Sequence, residues 1–321
     1  MVHLPIAAVT GRALWFVIAN AFTLFRLTWL PLVVLLATEW AIAYWLAWHA
    51  PSGTTLETLL ADPANALIDL GTLVLEGLAL SVVAVRVHRI ILFSDRRPGE
   101  YFAFPFGKTE ILYVLMGALS FTLIIVFVVA VIFAGVALGV VPNESADSNP
   151  VVDLAHSGKP LLVAVVVSGY FVLVWLTLRL TVWPPAVVAN NRLSLGEAWR
   201  LTRGKALAML GLGIFSTFAI IVPIAAAAYW TMTATEIGKI KNWDDFQAAL
   251  PFAPFDEKLT IALAHPGRIP DPNALLLELA ANFLFTTYTI AILSYAYKAL
   301  KGFDAHEPID GAGANAEASS F

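Results

Sequence analysis

Apolar residues in this chain fall in long, almost unbroken runs, each bounded by a short patch of arginine, lysine or proline. Runs of about 20 apolar residues are what a helix needs to cross a hydrocarbon core of about 30 Å. Six such runs are predicted to be spanning helices, over about 27–48, 66–85, 110–141, 161–183, 206–230 and 273–297. The first is entered from an interfacial helix over about 12–26 and bends at Pro31. The third exceeds one crossing and has to tilt or project. The fourth is stopped by Pro184-Pro185, and the fifth is kinked at Pro223. The fold class expected is all-α: a polytopic transmembrane helix bundle of about six spans, with amphipathic interfacial helices. A single membrane-embedded domain covers 1–302, and 303–321 reads as a disordered, small and polar tail. The long segment 231–272 lies outside the spans and holds NWDDFQAAL, which reads as a short surface helix.

The charges between the runs set an orientation. Fourteen of the nineteen basic residues fall in the N-terminal segment, the loops after the second and fourth spans, and the start of the tail. The opposite loops keep Lys159, Lys239, Lys241, Lys258 and Arg268 among many carboxylates. The positive-inside rule then puts both termini in the cytoplasm. Trp40, Trp45, Trp48, Trp230 and Trp243 fit an outer aromatic belt, and Trp29, Trp183 and Trp199 an inner one.

Composition agrees with the pattern. The chain is 59% hydrophobic and 13% charged, with a mean hydropathy of +0.79, far from the composition of an ordinary soluble domain. A net charge of −4 points to no nucleic-acid partner. The absence of cysteine removes disulfides, thiolate metal sites and cysteine nucleophiles. Arg26 and Trp29 stand where an export signal would be cleaved, so the N-terminus is not read as a signal peptide.

A decapeptide is spelled twice. GEYFAFPFGK (99–108) and GEAWRLTRGK (196–205) share Gly, Glu, Gly and Lys at the same four positions. Each sits between two spans on the basic side, two spans apart, which suggests an internal duplication. In the second copy Ser194 and Glu197 have capping-box spacing. Glu197, Arg200 and Arg203 are expected to face water or headgroups, and Lys205 to snorkel. The candidate lipid- or partner-binding residues are Arg86, Arg89, Arg96, Arg97 and Lys108 in one loop and Arg192, Arg200, Arg203 and Lys205 in the other. The competing reading makes the same residues topology determinants and interfacial anchors only.

LSLGEAWRLTRGKALAMLGLGIF, preceded by VWPPAVVANNR, resembles the uncharacterised integral membrane domains that occur alone in many bacteria. Related domains are attached to some glycerophosphodiester phosphodiesterases. The likeness covers mainly residues 180–230. It implies a multi-helix bacterial inner-membrane protein and carries over no catalytic residue.

Glu39 and Glu76 lie inside consecutive predicted spans, about 20 Å along a helix from Arg26 and about 15 Å from Arg86. Such a carboxylate has to be paired, protonated or turned to a polar cavity. No lysine or arginine lies at matching depth, so raised pKa values and protonation are the cheaper solution. One reading is a proton or cation site, with Asn282, Thr286, Thr287 and Tyr288 contributing polar groups. The other is two glutamic acids hydrogen-bonded to neighbouring helices for packing.

Motifs for chemistry are missing. The six histidines (His3, His49, His88, His156, His265 and His306) are scattered, and His88 is expected at the inner headgroup layer. No Walker A, GxGxxG, GxSxG or HExxH pattern occurs. The expectation is no catalytic residue, no metal and no cofactor, with membrane lipids and another membrane protein as the partner classes.

Overall fold

The computed structural model describes residues 4–51, 54, 58–59, 63–94, 106–137, 160–231, 255–264 and 272–303. Those residues are helical throughout, with short turns and no strand. In chain order the helices are α1 (Ile6–Ala19), α2 (Ala21–His49), α3 (Pro63–Phe93), α4 (Lys108–Ala137) and α5 (Pro160–Leu180). They continue as α6 (Trp183–Asn190), α7 (Leu195–Leu201), α8 (Ala206–Thr231), α9 (Phe255–Ala264) and α10 (Pro272–Lys301). Among the described residues five stretches are long and apolar enough to cross a membrane, and six if the bent pair α7–α8 forms one more. NWDDFQAAL, Arg96, Arg97, residues 99–105 of the first decapeptide and the tail beyond Phe303 lie outside the described residues.

The entry differs from the predicted interfacial helix over 12–26. The chain breaks at Asn20, whose backbone and side-chain N–H groups both bond the Phe16 carbonyl. α1 is therefore a separate helix. Val9, Ala13 and Val17 bury its inner face, while Trp15 and Ile18 face outward. Phe16 meets Tyr295 of α10 edge-on at 6.1 Å, so the start of the described chain and the end of its last helix share one end of the bundle, the near end. α2 runs on through Pro31, which is buried.

α3 continues two turns past the predicted stop at Val85, because Val87, Ile90, Ile91 and Leu92 keep an apolar face in the core. This carries Arg86, His88 and Arg89 into the bundle instead of a loop. Pro184 and Pro185 do not stop the fourth span. The helix breaks at Thr181–Val182, and the prolines occupy the first turn of α6, where a missing N–H costs nothing. α6 is almost wholly buried, Trp183 included, so Trp183 is not an interfacial residue.

Among the described residues two apolar cores result. The larger joins α1, the second half of α3, α6 and the second half of α10 at the near end. The smaller joins Ala43 and Leu46 of α2 to Leu59 and to Leu259 and Ala262 of α9 at the far end. Elsewhere large apolar side chains face outward in numbers no water-soluble protein tolerates, as with Leu115, Phe121 and Val126 of α4 and Phe215, Phe218 and Val222 of α8. A hydrocarbon surround satisfies them.

Candidate functional site

At the far end, α9 places Lys258 inside the bundle at 2% exposure. Its Nζ pairs with Glu39 of α2 and, at 2.7 Å, with Glu278 of α10. Lys258 can reach inward because Leu259 and Ala262 seat α9 on the far half of α2. Trp40 lies beside the group: its Nε1 donates to Glu278 Oε2 at 3.3 Å, and the Lys258 ammonium stands 5.9 Å from its ring. Trp40 thus serves the cluster from inside rather than an outer aromatic belt, whereas Trp45 and Trp48 are exposed as a belt requires.

Glu76 of α3 lies beside Glu39 in the same cluster. The cluster then gathers Lys258, Glu39, Glu278 and Glu76 from four helices, with Lys258 and Glu278 buried and Glu39 and Glu76 half-buried. The structure therefore brings Glu39 and Glu76 together, and corrects the expectation that no cation stands at their depth. That cation comes from the segment between spans. Asn282 stands one turn along α10 from Glu278, half-buried, without a hydrogen bond among the described residues. Thr287 bonds its own helix at the Phe283 carbonyl, and the Tyr288 hydroxyl is buried without a described partner.

Lys258 and Glu278 escaped the sequence reading. Glu278 had a signal, since it lies inside the sixth predicted span, where a third carboxylate demands a counter-ion. Lys258 had none, because only the fold of α9 brings it inward.

The near end holds a second polar system, built on the second decapeptide. Glu197 of α7 does not complete a capping box. Ser194 makes no capping bond and instead donates to the Arg192 carbonyl, while Glu197 turns into the bundle. Its Oε1 accepts from Tyr297 at 2.8 Å and pairs with Lys301 at 2.6 Å; Oε2 accepts from Asn190 at 2.7 Å. Burial pushes the Glu197 carboxyl up, but the bonds from Lys301, Tyr297 and Asn190 outweigh it and hold the group below its ordinary range. A capping interaction does form at the first copy, where Glu110 Oε2 accepts the Gly107 N–H at 2.9 Å at the start of α4.

The nine basic candidates separate. Lys108, Arg192, Arg200 and Arg203 are exposed, and Lys205 is half-buried. Arg86 is buried and donates to the Leu27 carbonyl, and Arg89 reaches Thr109 Oγ1 at 3.3 Å. Both sit in the body of α3 rather than a loop, because the helix outlasts its predicted end. Thr109 in turn donates to Asn191 at 3.1 Å, linking α4 to the turn after α6. His88 is likewise no headgroup residue: it is fully buried, with Nδ1 2.7 Å from Ser294 Oγ and its ring 6.0 Å from that of Tyr113. Among the described residues no group of histidine, aspartate and glutamate is arranged to hold a metal ion.

Fold and surface together define a multi-pass, all-helical membrane architecture with an ion-pair cluster at one end and a basic edge at the other. No family model, curated protein or solved structure matches the chain.

Proposed function

We propose that this chain is a non-enzymatic accessory or scaffold protein of the bacterial inner membrane, with both termini in the cytoplasm, contacting anionic lipids or a membrane partner through the near-end basic edge. The resemblance of residues 180–230 to bacterial integral membrane domains is part of the same proposal. The observation that carries it is the mounting of α7. Glu197 is tied to Tyr297, Lys301 and Asn190 on the inner side, while Arg200 and Arg203 of the same decapeptide project outward. A charge held on an anchored helix sacrifices less freedom on binding than one on a loose loop. Each such residue near an anionic surface contributes about 1 kcal/mol.

The test is native mass spectrometry of the protein released with its surrounding membrane, beside the Arg200→Ala/Arg203→Ala variant. Loss of a stoichiometric lipid or protein adduct in the folded variant supports the reading. An unchanged adduct pattern removes it.

A second reading, an ion-coupled carrier, is favoured by the surplus of carboxyls over cations around Lys258. A cluster that gains and loses a proton between Glu39 and Glu76 could couple that proton to a conformational step. Flux measured in proteoliposomes before and after Glu76→Gln tests it, and unchanged flux in a folded variant excludes Glu76 from any coupling.

A further inference from the structure

Arg179 stands in the last turn of α5 and is 6% exposed. Its Nε and Nη1 are buried without a hydrogen-bond partner, and no carboxylate among the described residues pairs with it. Aromatic faces hold the side chain. Its guanidinium carbon lies 4.5 Å from the ring centre of Trp199 and 5.5 Å from that of Trp175. The two indoles meet edge-on at 5.3 Å, and the Thr202 hydroxyl donates to the Arg179 carbonyl at 2.8 Å, so α5 and the decapeptide turn are locked together around the charge. Cation–π contact attracts a guanidinium but accepts none of its N–H bonds. The site is thus a fixed, desolvated positive charge with donors to spare.

Its level in the fold indicates the anion. Arg179 meets Thr202 just before α8 begins at Ala206 and just before α5 ends at Leu180, at the near-end edge of two spans. Away from that edge the neighbouring surface is apolar and exposed: Trp175 and Phe171 lie one and two turns back along α5, and Leu207 opens α8. On the other side Arg200 and Arg203 project outward from the decapeptide. A small soluble anion leaves the apolar flank uncovered, whereas a phospholipid presents a phosphate to a guanidinium fork and hydrocarbon to the flank.

We propose that Arg179, clamped between Trp175 and Trp199, is the phosphate-binding centre of a site for one phospholipid, whose acyl chains lie along the exposed face of α5. The site rests on the reading of the near end as a lipid-contacting basic edge and gives that edge a defined centre.

The experiment loads the full chain, in detergent, with increasing phosphatidylglycerol and reads bound lipid by native mass spectrometry. Four proteins are compared: the unchanged chain, Arg179→Gln, Arg179→Lys, and Arg200→Ala/Arg203→Ala. The expected result is one tightly held lipid, weakened about tenfold or more by Arg179→Gln and only a few-fold by the rim pair. If Arg179→Gln fails to fold, Arg179→Lys decides, because it keeps the charge and loses the planar fork. Retention reduced several-fold in that variant supports the site, and unchanged retention overturns it. Displacement of the lipid by millimolar inorganic phosphate would make the centre a site for soluble phosphate and overturn the lipid assignment. If the rim pair loses the lipid while folded Arg179→Gln keeps it, the site falls and the basic-edge reading stands. Loss with Arg179→Gln alone leaves the site standing and removes the wider edge.

Discussion

Tyr297 donates its hydroxyl to Glu197 at 2.8 Å, joining residues 100 apart in the chain and fixing α7 to the last helix. Because the Glu197 carboxyl is held below its ordinary range, the stability it contributes is fully present above the unfolded value of about 4.3. That contribution is lost as pH falls through the lower folded value. Glu197→Gln is expected to lower the melting temperature at pH 7 and to flatten its decline on acidification. Melting curves between pH 3 and 7 check this, and an acid limb identical in both proteins contradicts it. Tyr297→Phe removes one hydrogen bond to a charged group and is expected to cost about 1.5–3 kcal/mol.

Gly204 makes the turn between α7 and α8, whose axes differ by 92°, and has φ +72°. A Cβ there meets no atom, so the cost of a substitution is backbone conformation alone. Gly204→Ala is expected to destabilise by about 1–2 kcal/mol. Gly196→Ala, in the helical first turn of α7 with open space around it, should be neutral or stabilising by up to about 1 kcal/mol. Denaturant titration of the two variants side by side tests the contrast, and equal effects would remove the turn argument.

Lys258 is the cation for two buried carboxylates, at 2% exposure against 12% for Glu39 and 7% for Glu278. Lys258→Met leaves both without a counter-ion and is expected to cost about 3–5 kcal/mol. Adding Glu39→Gln and Glu278→Gln should restore most of that loss, since the charges vanish together. Unfolding followed in detergent for the single and triple variants gives the answer. A triple variant no more stable than the single one would show that Lys258 acts by packing rather than by charge.

The spans were legible because hydrocarbon imposes length and composition on each helix separately. α4, α8 and α10 accordingly lie close to where the apolar runs do, and α2 ends where its run does. What the runs hide is which polar residue at a run's edge turns inward. Arg86 and His88 look like the start of a loop, yet the apolar residues interleaved with them keep α3 going and bury both. Pro184-Pro185 reads equally well as a stop or as a helix's first turn, and only the burial of α6 decides. Glu39 and Glu76 were legible as residues needing a partner. The partner was not, because it comes from α9, a helix too short and too polar to register as a span. Glu197 misled by its local spacing: Ser194 was three residues away, but a tyrosine and a lysine 100 and 104 positions on offered stronger bonds.

The cluster at the far end also imposes an order on biogenesis. Glu39 leaves the ribosome 219 residues ahead of Lys258, a delay of roughly 10–40 s at ordinary elongation rates. During that interval α2 and α3 have each other's carboxyl groups for company and no ammonium. The N-terminal hairpin therefore enters the bilayer as an unfinished piece that α9 and α10 complete. A chain truncated before residue 258 retains its first spans but lacks the ammonium that pairs with Glu39.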